Sequence, residues 1–313
     1  MSKAFVFPGQ GSQAVGMGQA LAEAFAPARH LFEEVDDALS QRLTKLMFEG
    51  PDDELRLTEN AQPALMAVSM AIVRVLSEEG GISLEDKGAF VAGHSLGEYS
   101  ALAAAGSLAV ADTARLLKLR GKSMQEAVPV GEGAMAALLG LDLDAAKEVA
   151  EAAAGDEVCD VGNDNAPGQV VLSGATAAIE RAVEIAKEKG ARRAVMLPVS
   201  APFHSSLLAP AAEVMKEALE KTDIEAPSPV LVANVTAESV QDPPIIRRQL
   251  VEQVTAMVRW RESVLYMKDQ GVDTLIELGA GNVLTGLTRR IDRDLTGRSV
   301  QGPDDIEELL KDL

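Results

Sequence analysis

Short apolar runs alternate with longer segments of helical periodicity along the chain, which predicts alternating strands and helices. Apolar runs predict strands at residues 5–7, 89–92, 230–235 and 274–277, and helical patterns cover residues 16–25, 62–76, 96–105 and 111–127. Strands joined by helices in this order are typical of a parallel sheet that is covered on both faces. The pattern therefore predicts an α/β core.

The pattern changes in the middle of the chain. Strands are predicted there at residues 133–139, 158–162, 169–173 and 192–197, with helices at 143–154 and 175–188. This βαββαβ order is typical of a ferredoxin-like unit. Pro129-Val130-Gly131 and Pro198-Val199-Ser200 indicate linkers on its two sides. We therefore predict a small domain over residues 130–197, inserted into a larger α/β domain that consists of residues 1–129 and 198–313.

The most informative segment joins the predicted strand at 89–92 to an alanine-rich helix and reads Gly93-His94-Ser95-Leu96-Gly97. Gly93 and Gly97 leave room for a tight turn that would lift Ser95 clear of the sheet. The helix behind the turn points backbone N–H groups at any negative charge that develops there. The segment thus predicts a nucleophile elbow. The alternative is that Ser95 is only a helix N-cap at a crossover turn.

Composition narrows the classes of function. Hydrophobic residues make up 47% of the 313 residues, which excludes a disordered chain and fits a globular protein with a substantial core. The net charge of −19 disfavours nucleic acids and anionic membranes as partners. With one cysteine and three histidines we expect no metal site. The single cysteine, and a sequence without a signal-peptide pattern or a bilayer-length apolar run, predict a cytoplasmic protein.

A serine hydroxyl is a weak nucleophile until a base, usually a histidine, takes its proton. His94 directly precedes Ser95, so its side chain should point away from the hydroxyl, and His30 lies in an amphipathic pattern typical of a surface or half-buried position. His204 follows the predicted inserted domain, where a cleft between two domains is expected. His204 is therefore the candidate base; the alternative is a histidine at a helix start without a catalytic role.

Several ordered segments resemble the malonyl-CoA:acyl carrier protein transacylases. They are Phe7-Pro8-Gly9-Gln10-Gly11-Ser12-Gln13, Gly93-His94-Ser95-Leu96-Gly97-Glu98-Tyr99-Ser100, Arg120-Gly121, Gly133-Ala134-Met135, Asn165-Ala166-Pro167-Gly168-Gln169-Val170-Val171, Pro202-Phe203-His204 and Glu277-Leu278-Gly279-Ala280-Gly281-Asn282-Val283-Leu284. The resemblance covers almost the whole chain. It implies a hydrolase-like α/β core with a ferredoxin-like insertion, in agreement with the pattern of strands and helices.

The resemblance also implies roles for individual residues. Ser95 would carry the malonyl group as an ester, and His204 would act as general base and then as general acid. In this family a backbone carbonyl orients the histidine, and the matching position is Gln253. The backbone N–H groups of Gln10 and Leu96 would hold the oxyanion.

Three further residues match substrate-binding positions of the family. Arg120 would hold the free malonyl carboxylate with its planar guanidinium fork. The alternative is an arginine near the end of a helix that complements the dipole and faces water. His94 and Asn165 are the other two residues, and for Asn165 the alternative is a simple turn position before Ala166-Pro167.

The resemblance implies malonyl-CoA and an acyl carrier protein as partners and no cofactor in this chain, because the carrier brings its own phosphopantetheine. Carrier proteins are acidic, so a local basic patch would have to offset the net negative charge. The candidates are Arg289, Arg290 and Arg293, with Lys187, Lys189, Arg192 and Arg193 on the predicted insertion. We expect a monomer that binds neither nucleic acid nor membrane.

Two other functions stay open at this point. A serine hydrolase or thioesterase would use the same elbow with water as the acceptor, but it would require a carboxylate-oriented histidine near the C-terminus. A non-catalytic protein could bind phosphate with the glycine-rich loop at residues 9–18. That loop has neither the Gly-Lys-Ser/Thr end of a P-loop nor the spacing of a dinucleotide-binding fingerprint.

Overall fold

The computed structural model describes residues 2–313. Within them, ten strands form two separate sheets. The strands are β1 Ser2–Phe7, β2 Phe90–Gly93, β3 Gly133–Leu139, β4 Cys159–Ala166, β5 Gln169–Ala175, β6 Arg193–Met196, β7 Val230–Val232, β8 Ser239–Val240, β9 Val272–Leu278 and β10 Thr296–Val300.

Fifteen α-helices lie among the described residues. They are α1 Gln19–Ala24, α2 Ala26–Leu39, α3 Leu43–Glu49, α4 Asp52–Arg56, α5 Thr58–Glu78, α6 Leu84–Lys87, α7 Leu96–Ala104, α8 Val110–Ala127, α9 Leu143–Ala154, α10 Thr176–Glu188, α11 Ala209–Glu220, α12 Pro243–Glu252, α13 Trp260–Asp269, α14 Val283–Ile291 and α15 Pro303–Asp312, with a short 3-10 helix at Ser206–Leu208. In the described part of the chain, no helix combines the length and apolarity that crossing a bilayer requires.

The large sheet has six strands in the order β10-β9-β1-β2-β7-β8, and its neighbouring strands are parallel except for β7 and β8. The central strands β1 and β2 pair from Ala4 with Phe90 to Phe7 with Gly93. Because the two strands end in the same register, the loop after β1 and the elbow after β2 leave the sheet side by side. The sheet thereby places residues 8–13 next to Ser95.

Apolar side chains alternate between the two faces of this sheet, as the period of two in a strand dictates. Phe5 and Phe7 point into one core, which includes the long buried helix α5. Ala4 and Val6 point into the other, where they join Trp260. The large sheet is therefore covered on both faces, which confirms the predicted α/β core.

The small sheet has the strand order β4-β5-β3-β6 and is antiparallel throughout. With α9 and α10 packed against it, the unit has the βαββαβ order of a ferredoxin-like fold and an apolar core of its own. The predicted fold class is thus confirmed. The domain boundaries at 129/130 and 197/198 stay a prediction.

Some bounds differ from the pattern along the sequence. Helix α1 begins at Gln19, later than the predicted residue 16, because Gly16 and Gly18 have φ angles of 95° and 79° that interrupt a helix. Strand β4 continues to Ala166, past the predicted end at residue 162. The extension follows from pairing with β5, because Asn163, Asp164 and Ala166 lie opposite Val171, Val170 and Gln169. Asn163 also forms a parallel bridge with Val258, which ties the small sheet to the segment before α13.

Candidate active site

Ser95 lies on a sharp turn between β2 and α7, with φ 54° and ψ −113°. The positions two residues before and after Ser95, Gly93 and Gly97, have no room for a side chain. A Cβ on Gly93 would lie 1.9 Å from the backbone carbonyl of Gly97, and a Cβ on Gly97 would lie 2.2 Å from the backbone oxygen of Phe7. Strained backbone of this kind costs about 1–3 kcal/mol and persists only where the surrounding structure enforces it. The turn has the geometry of a nucleophile elbow.

The hydroxyl of Ser95 donates a hydrogen bond to Nε2 of His204 at 2.7 Å. On the other side of the ring, Nδ1 of His204 lies 2.9 Å from the backbone oxygen of Gln253. A carbonyl only accepts, so Nδ1 carries the proton and Nε2 is free to accept the serine proton. Burial, together with the nearby cation of Arg120, lowers the pKa of His204 to about 3. The imidazole is therefore neutral at ordinary pH, which is the state a base requires.

Arg120 lies in α8, roughly two turns before the C-terminal end of the helix, and it is 1% exposed. Nη2 donates to Ser95 Oγ at 3.2 Å and to Gln253 Oε1 at 2.8 Å, and Nη1 donates to Gln62 Oε1 at 2.9 Å. Its Nε has no hydrogen-bond partner, and the guanidinium lies 5.6 Å from the centre of the Tyr99 ring. The alternative of a water-facing arginine at a helix end is therefore wrong. A buried cation whose hydrogen-bond acceptors are all neutral is suited to binding an anion.

A network of amide and carboxylate groups lies beneath the serine. Gln253 Nε2 donates to the backbone oxygen of Ser95 at 2.9 Å and to Glu98 Oε2 at 2.6 Å. The Asn234 side chain accepts from the Ser95 N–H at 2.8 Å and donates to the Gly93 backbone oxygen at 2.6 Å. These bonds hold the elbow in its strained conformation from below.

Three residues of this network were not predicted from the sequence: Gln62, Asn234 and Glu98. Gln62 and Asn234 are uncharged amides on α5 and after β7, and no local motif marks them. A polar residue within the largely apolar stretch from Ala61 to Val73 could have drawn attention to Gln62, although Ser69 interrupts that stretch as well. Glu98 lies within the elbow segment, where its three-residue distance from Ser95 could have indicated a buried acid in the first turn of the helix.

The loop after β1 brings Gln10 to the elbow, because a Cβ on Gly9 would lie 2.8 Å from the backbone oxygen of His94. Leu96 is the first residue of α7. Within residues 2–313, neither the Gln10 N–H nor the Leu96 N–H donates to a protein acceptor. The geometry leaves both backbone donors available at the end of the sheet where Ser95 lies.

On the opposite side of the elbow, Nε2 of His94 lies 2.8 Å from Oδ1 of Asn165 in β4. The Ser95 hydroxyl bonds to His204 and Arg120, and the structure shows no hydrogen bond between it and the His94 ring among the described residues. The neighbouring Asp164 is 1% exposed and forms an ion pair with Arg261 of α13 at 2.7 Å. Asn165 is therefore part of a strand that an ion pair fixes to the large domain. The alternative of a turn position before Ala166-Pro167 is wrong, because Asn165 lies within β4.

The remaining candidates lie on the surface. Arg289, Arg290 and Arg293 are exposed at the end of α14 and just after it, and His30 is exposed on α2. On the small domain, Lys187 and Lys189 are paired with Glu184 and Glu148. The described residues contain no cluster of three His, Cys, Asp or Glu side chains that could hold a metal ion.

A reactive serine, a neutral histidine and a buried cation at one hydroxyl are the parts of an acyl-transfer site, and comparison with known proteins identifies the same class. The chain belongs to the acyl transferase domain family, whose model matches residues 4–298. The malonyl CoA-acyl carrier protein transacylase of Bacillus subtilis is 46% identical over 315 residues, which cover 100% of this chain and 98% of that protein.

Two solved structures are similar along their whole length. An acyl-carrier-protein S-malonyltransferase from Bartonella henselae is 56% identical with a TM-score of 0.97, and 99% of each chain is covered. A malonyl-transacylase in complex with its type II PKS acyl-carrier protein is 42% identical with a TM-score of 0.96, and 100% of each chain is covered. These comparisons confirm the family resemblance that the ordered segments indicate.

Proposed function

We propose that this protein is a malonyltransferase that moves a malonyl group from malonyl-CoA to the phosphopantetheine thiol of an acyl carrier protein, through a malonyl ester on Ser95. One observation carries the assignment of the site. The Ser95 hydroxyl lies 2.7 Å from the base nitrogen of His204 and 3.2 Å from the guanidinium of Arg120. Nucleophile, base and carboxylate-binding group therefore meet at one atom.

In the first half-reaction, Ser95 Oγ attacks the thioester carbonyl of malonyl-CoA while His204 Nε2 takes the hydroxyl proton. The tetrahedral intermediate collapses with cleavage of the C–S bond, and the imidazolium returns the proton to the departing CoA thiolate. In the second half-reaction, His204 takes the proton of the carrier thiol, which attacks the malonyl ester. Ser95 leaves with that proton, so the enzyme ends as it began.

The backbone carbonyl of Gln253 keeps the His204 ring in the tautomer that this proton transfer requires. The oxyanion of each tetrahedral intermediate accepts hydrogen bonds from the backbone N–H groups of Gln10 and Leu96. Fixed donors of this kind lower a barrier by roughly 3 kcal/mol each. Their lack of protein acceptors in the described part of the chain supports this assignment.

Arg120 selects the acyl group. A malonyl carboxylate would accept charge-assisted hydrogen bonds from the guanidinium, whereas an acetyl group would leave the buried cation without a carboxylate in direct contact. His94 of the elbow and Asn165 of the small domain lie on the opposite side, where they shape the acyl and thioester site. No cofactor is required, because the acyl group travels on CoA, serine and the carrier thiol.

The carrier protein would dock near the exposed arginines Arg289, Arg290 and Arg293. Their local positive charge would counter the repulsion between an acidic carrier and a chain with a net charge of −19. Arg290 also donates to Gln169 at the start of β5, so the patch adjoins the small domain. We propose a monomer that works in the cytoplasm, where a buried and unpaired cysteine such as Cys159 stays reduced.

Mass spectrometry of the intact protein tests the reaction. After incubation with malonyl-CoA we expect one malonyl group on the wild-type protein and none on Ser95→Ala. Ser206→Ala is the matched control, because its exposed hydroxyl bonds to Asp160 and its loss should leave the adduct intact. Added holo carrier protein should then remove the malonyl group as malonyl-carrier. Release of free malonate at the same rate with or without the carrier would instead identify a hydrolase.

A further inference from the structure

The buried cation of Arg120 has no carboxylate directly against it in the substrate-free site. Its hydrogen-bond acceptors are Ser95, Gln62 and Gln253, all of them neutral. A buried charge without a counter-ion is costly, so a compensating negative charge is expected close by. The acid connected to Arg120 by the shortest chain of hydrogen bonds is Glu98.

The side-chain amide of Gln253 joins the two charged groups. Its Oε1 accepts from Arg120 Nη2 at 2.8 Å, and its Nε2 donates to Glu98 Oε2 at 2.6 Å. The amide dipole thus has its negative end at the cation and its positive end at the carboxylate. Glu98 is 2% exposed and lies in the first turn of α7, where the helix dipole also favours a negative charge.

The other titratable groups around Glu98 contribute no charge at neutral pH. Burial raises the pKa of Tyr99 to about 12, lowers that of His204 to about 3 and also lowers that of His94, so all three are neutral. Asn234 and Gln253, which contact Glu98 from the other packed segments, do not titrate. Burial raises the pKa of Glu98 itself to about 7, and hydrogen bonds from Gln253 and Asn234, followed by the charge of Arg120, oppose that rise.

We propose that Glu98 is the counter-ion of Arg120 in the empty site, and that it takes up a proton from solvent when a malonyl carboxylate binds there. The proposal rests on the function proposed above. The charge balance is simple: the empty site holds the Arg120 cation and the Glu98 anion. An incoming carboxylate adds a second anion, and one proton on Glu98 restores neutrality. Binding of an acetyl group adds no charge to the site, so Glu98 takes up no proton.

The direction of the pH dependence follows from linkage. A second anion raises the pKa of Glu98 in the complex above its value of about 7 in the empty site. The complex therefore holds more protons than the free protein above neutral pH, and malonyl-CoA affinity falls as pH rises. Across the interval between the two pKa values the loss approaches about tenfold per pH unit. Below that interval Glu98 is already protonated and the affinity is constant.

Calorimetry measures the proton directly. Ser95→Ala binds malonyl-CoA without forming the ester, and it is titrated at pH 8 in buffers with different ionisation enthalpies. The slope of the observed heat against that enthalpy gives the number of protons taken up. Acetyl-CoA is the matched ligand, because its CoA part titrates identically and only the free carboxylate is missing. We expect an excess uptake for malonyl-CoA that approaches one proton, and equal uptake for the two ligands would overturn the proposal.

A second pair of variants assigns the proton to Glu98. In the Ser95→Ala protein, Glu98→Gln should abolish the excess uptake. Glu277→Gln should preserve it, because Glu277 is equally buried but accepts from Leu284 and Thr285 N–H groups and is not bonded to Arg120 or Gln253. Persistence of the uptake in Glu98→Gln would assign the proton elsewhere and overturn the proposal.

Infrared difference spectroscopy gives the same answer without a Glu98 variant, should Glu98→Gln fail to fold. A new protonated-carboxyl band on adding malonyl-CoA, shifted by ¹³C-glutamate labelling, is the expected result, and its absence would contradict the proposal. If Arg120→Ala leaves malonyl-CoA affinity unchanged, the fault lies with the proposed carboxylate recognition. A second outcome separates the two proposals. If malonyl-CoA affinity falls in Arg120→Ala while the Ser95→Ala protein takes up no proton, Arg120 does recognise the carboxylate, and the proposed protonation of Glu98 is wrong.

Discussion

The two histidines beside Ser95 are held from opposite sides of the elbow and by different means. His204, on the side of the large domain, is 3% exposed and points Nδ1 at a backbone oxygen, that of Gln253. His94, on the side of the small domain, is only partly buried and pairs with a side chain, that of Asn165. Burial lowers the pKa of both rings, so their charge does not distinguish the two histidines.

What separates them is their connection to the rest of the site. The His204 side belongs to a network in which Arg120 and Gln253 each bond to two or more partners and through them to Ser95. The His94 side has one hydrogen bond across to β4. Hydrogen bonds in a buried network reinforce one another, whereas a single partly exposed bond contributes about 1 kcal/mol. The chemistry should therefore depend on the large domain, and the small domain should adjust it.

Replacing the two histidines in turn has the largest expected effect. His204→Ala should slow malonyl transfer at least ~10²-fold, the usual lower range for losing a positioned general base. His94→Ala should slow it less than about tenfold, since its ring does not reach the Ser95 hydroxyl and only one bond of about 1 kcal/mol is lost. Single-turnover rates of Ser95 acylation measure both. A crippled His94→Ala with a nearly normal His204→Ala would reverse the assignment of the base.

The next largest effect concerns Arg120, which connects the acyl group to the large-domain network. Arg120→Ala should lower malonyl transfer sharply and make acetyl transfer relatively better. Malonyl loses a charge-assisted contact worth roughly 1.5–3 kcal/mol, and acetyl no longer faces a buried cation that has no carboxylate in direct contact. Since ~1.4 kcal/mol is tenfold, the ratio of the two rates should move by one or more powers of ten.

The measurement for Arg120→Ala is the transfer rate from both acyl-CoA donors in wild type and variant. Arg115→Ala is a suitable control, because Arg115 lies on the same helix but is exposed and paired with Asp112. A malonyl-to-acetyl ratio that stays constant in Arg120→Ala would remove Arg120 from substrate selection.

The smallest effect should come from the contact with the small domain. Asn165→Ala removes the partner of His94 and should reduce transfer only a few-fold, at a cost of about 1 kcal/mol in the free energy of unfolding. A double-mutant cycle with His94→Ala isolates the pair, and we expect a coupling energy of about 0.5–1.5 kcal/mol. A coupling near zero would mean that the two side chains meet without stabilising the site.

Local features of the sequence predicted much of this molecule. The elbow could be predicted because strand, glycines and helix follow one another without interruption, and the bounds of β3 and α9 match the predicted residues 133–139 and 143–154. The elbow indicated Ser95, elimination among three histidines indicated His204, and the roles of Arg120 and Gln253 came from the family resemblance. Their meeting at one hydroxyl could not be calculated from spacing, because His204 is 109 residues away from Ser95 along the chain.

The features that were not predicted are those created by tertiary contacts. The burial of Arg120 depends on Gln62, which α5 brings to it across 58 residues. The bridge that joins Asn163 of β4 to the large domain depends on Val258, far along the chain. The role of Asn234 depends on β7 ending at Val232, three residues before the predicted end, which frees its side chain to bond to the Ser95 N–H. Periodicity within one segment carries no information on such partners.

Gln253 contributes two separable parts to the site, and this separation bears on how the enzyme can evolve. Its main-chain oxygen orients His204, while its side chain contacts Arg120 and Glu98. Every amino acid supplies the same main-chain oxygen, so a substitution at position 253 can alter the surroundings of the acyl group and still leave an acceptor for the imidazole. A triad that depends on an aspartate has far less freedom, since only a glutamate would keep the carboxylate that orients its histidine. Acyl preference can thus diverge at this position without first sacrificing the proton-transfer machinery.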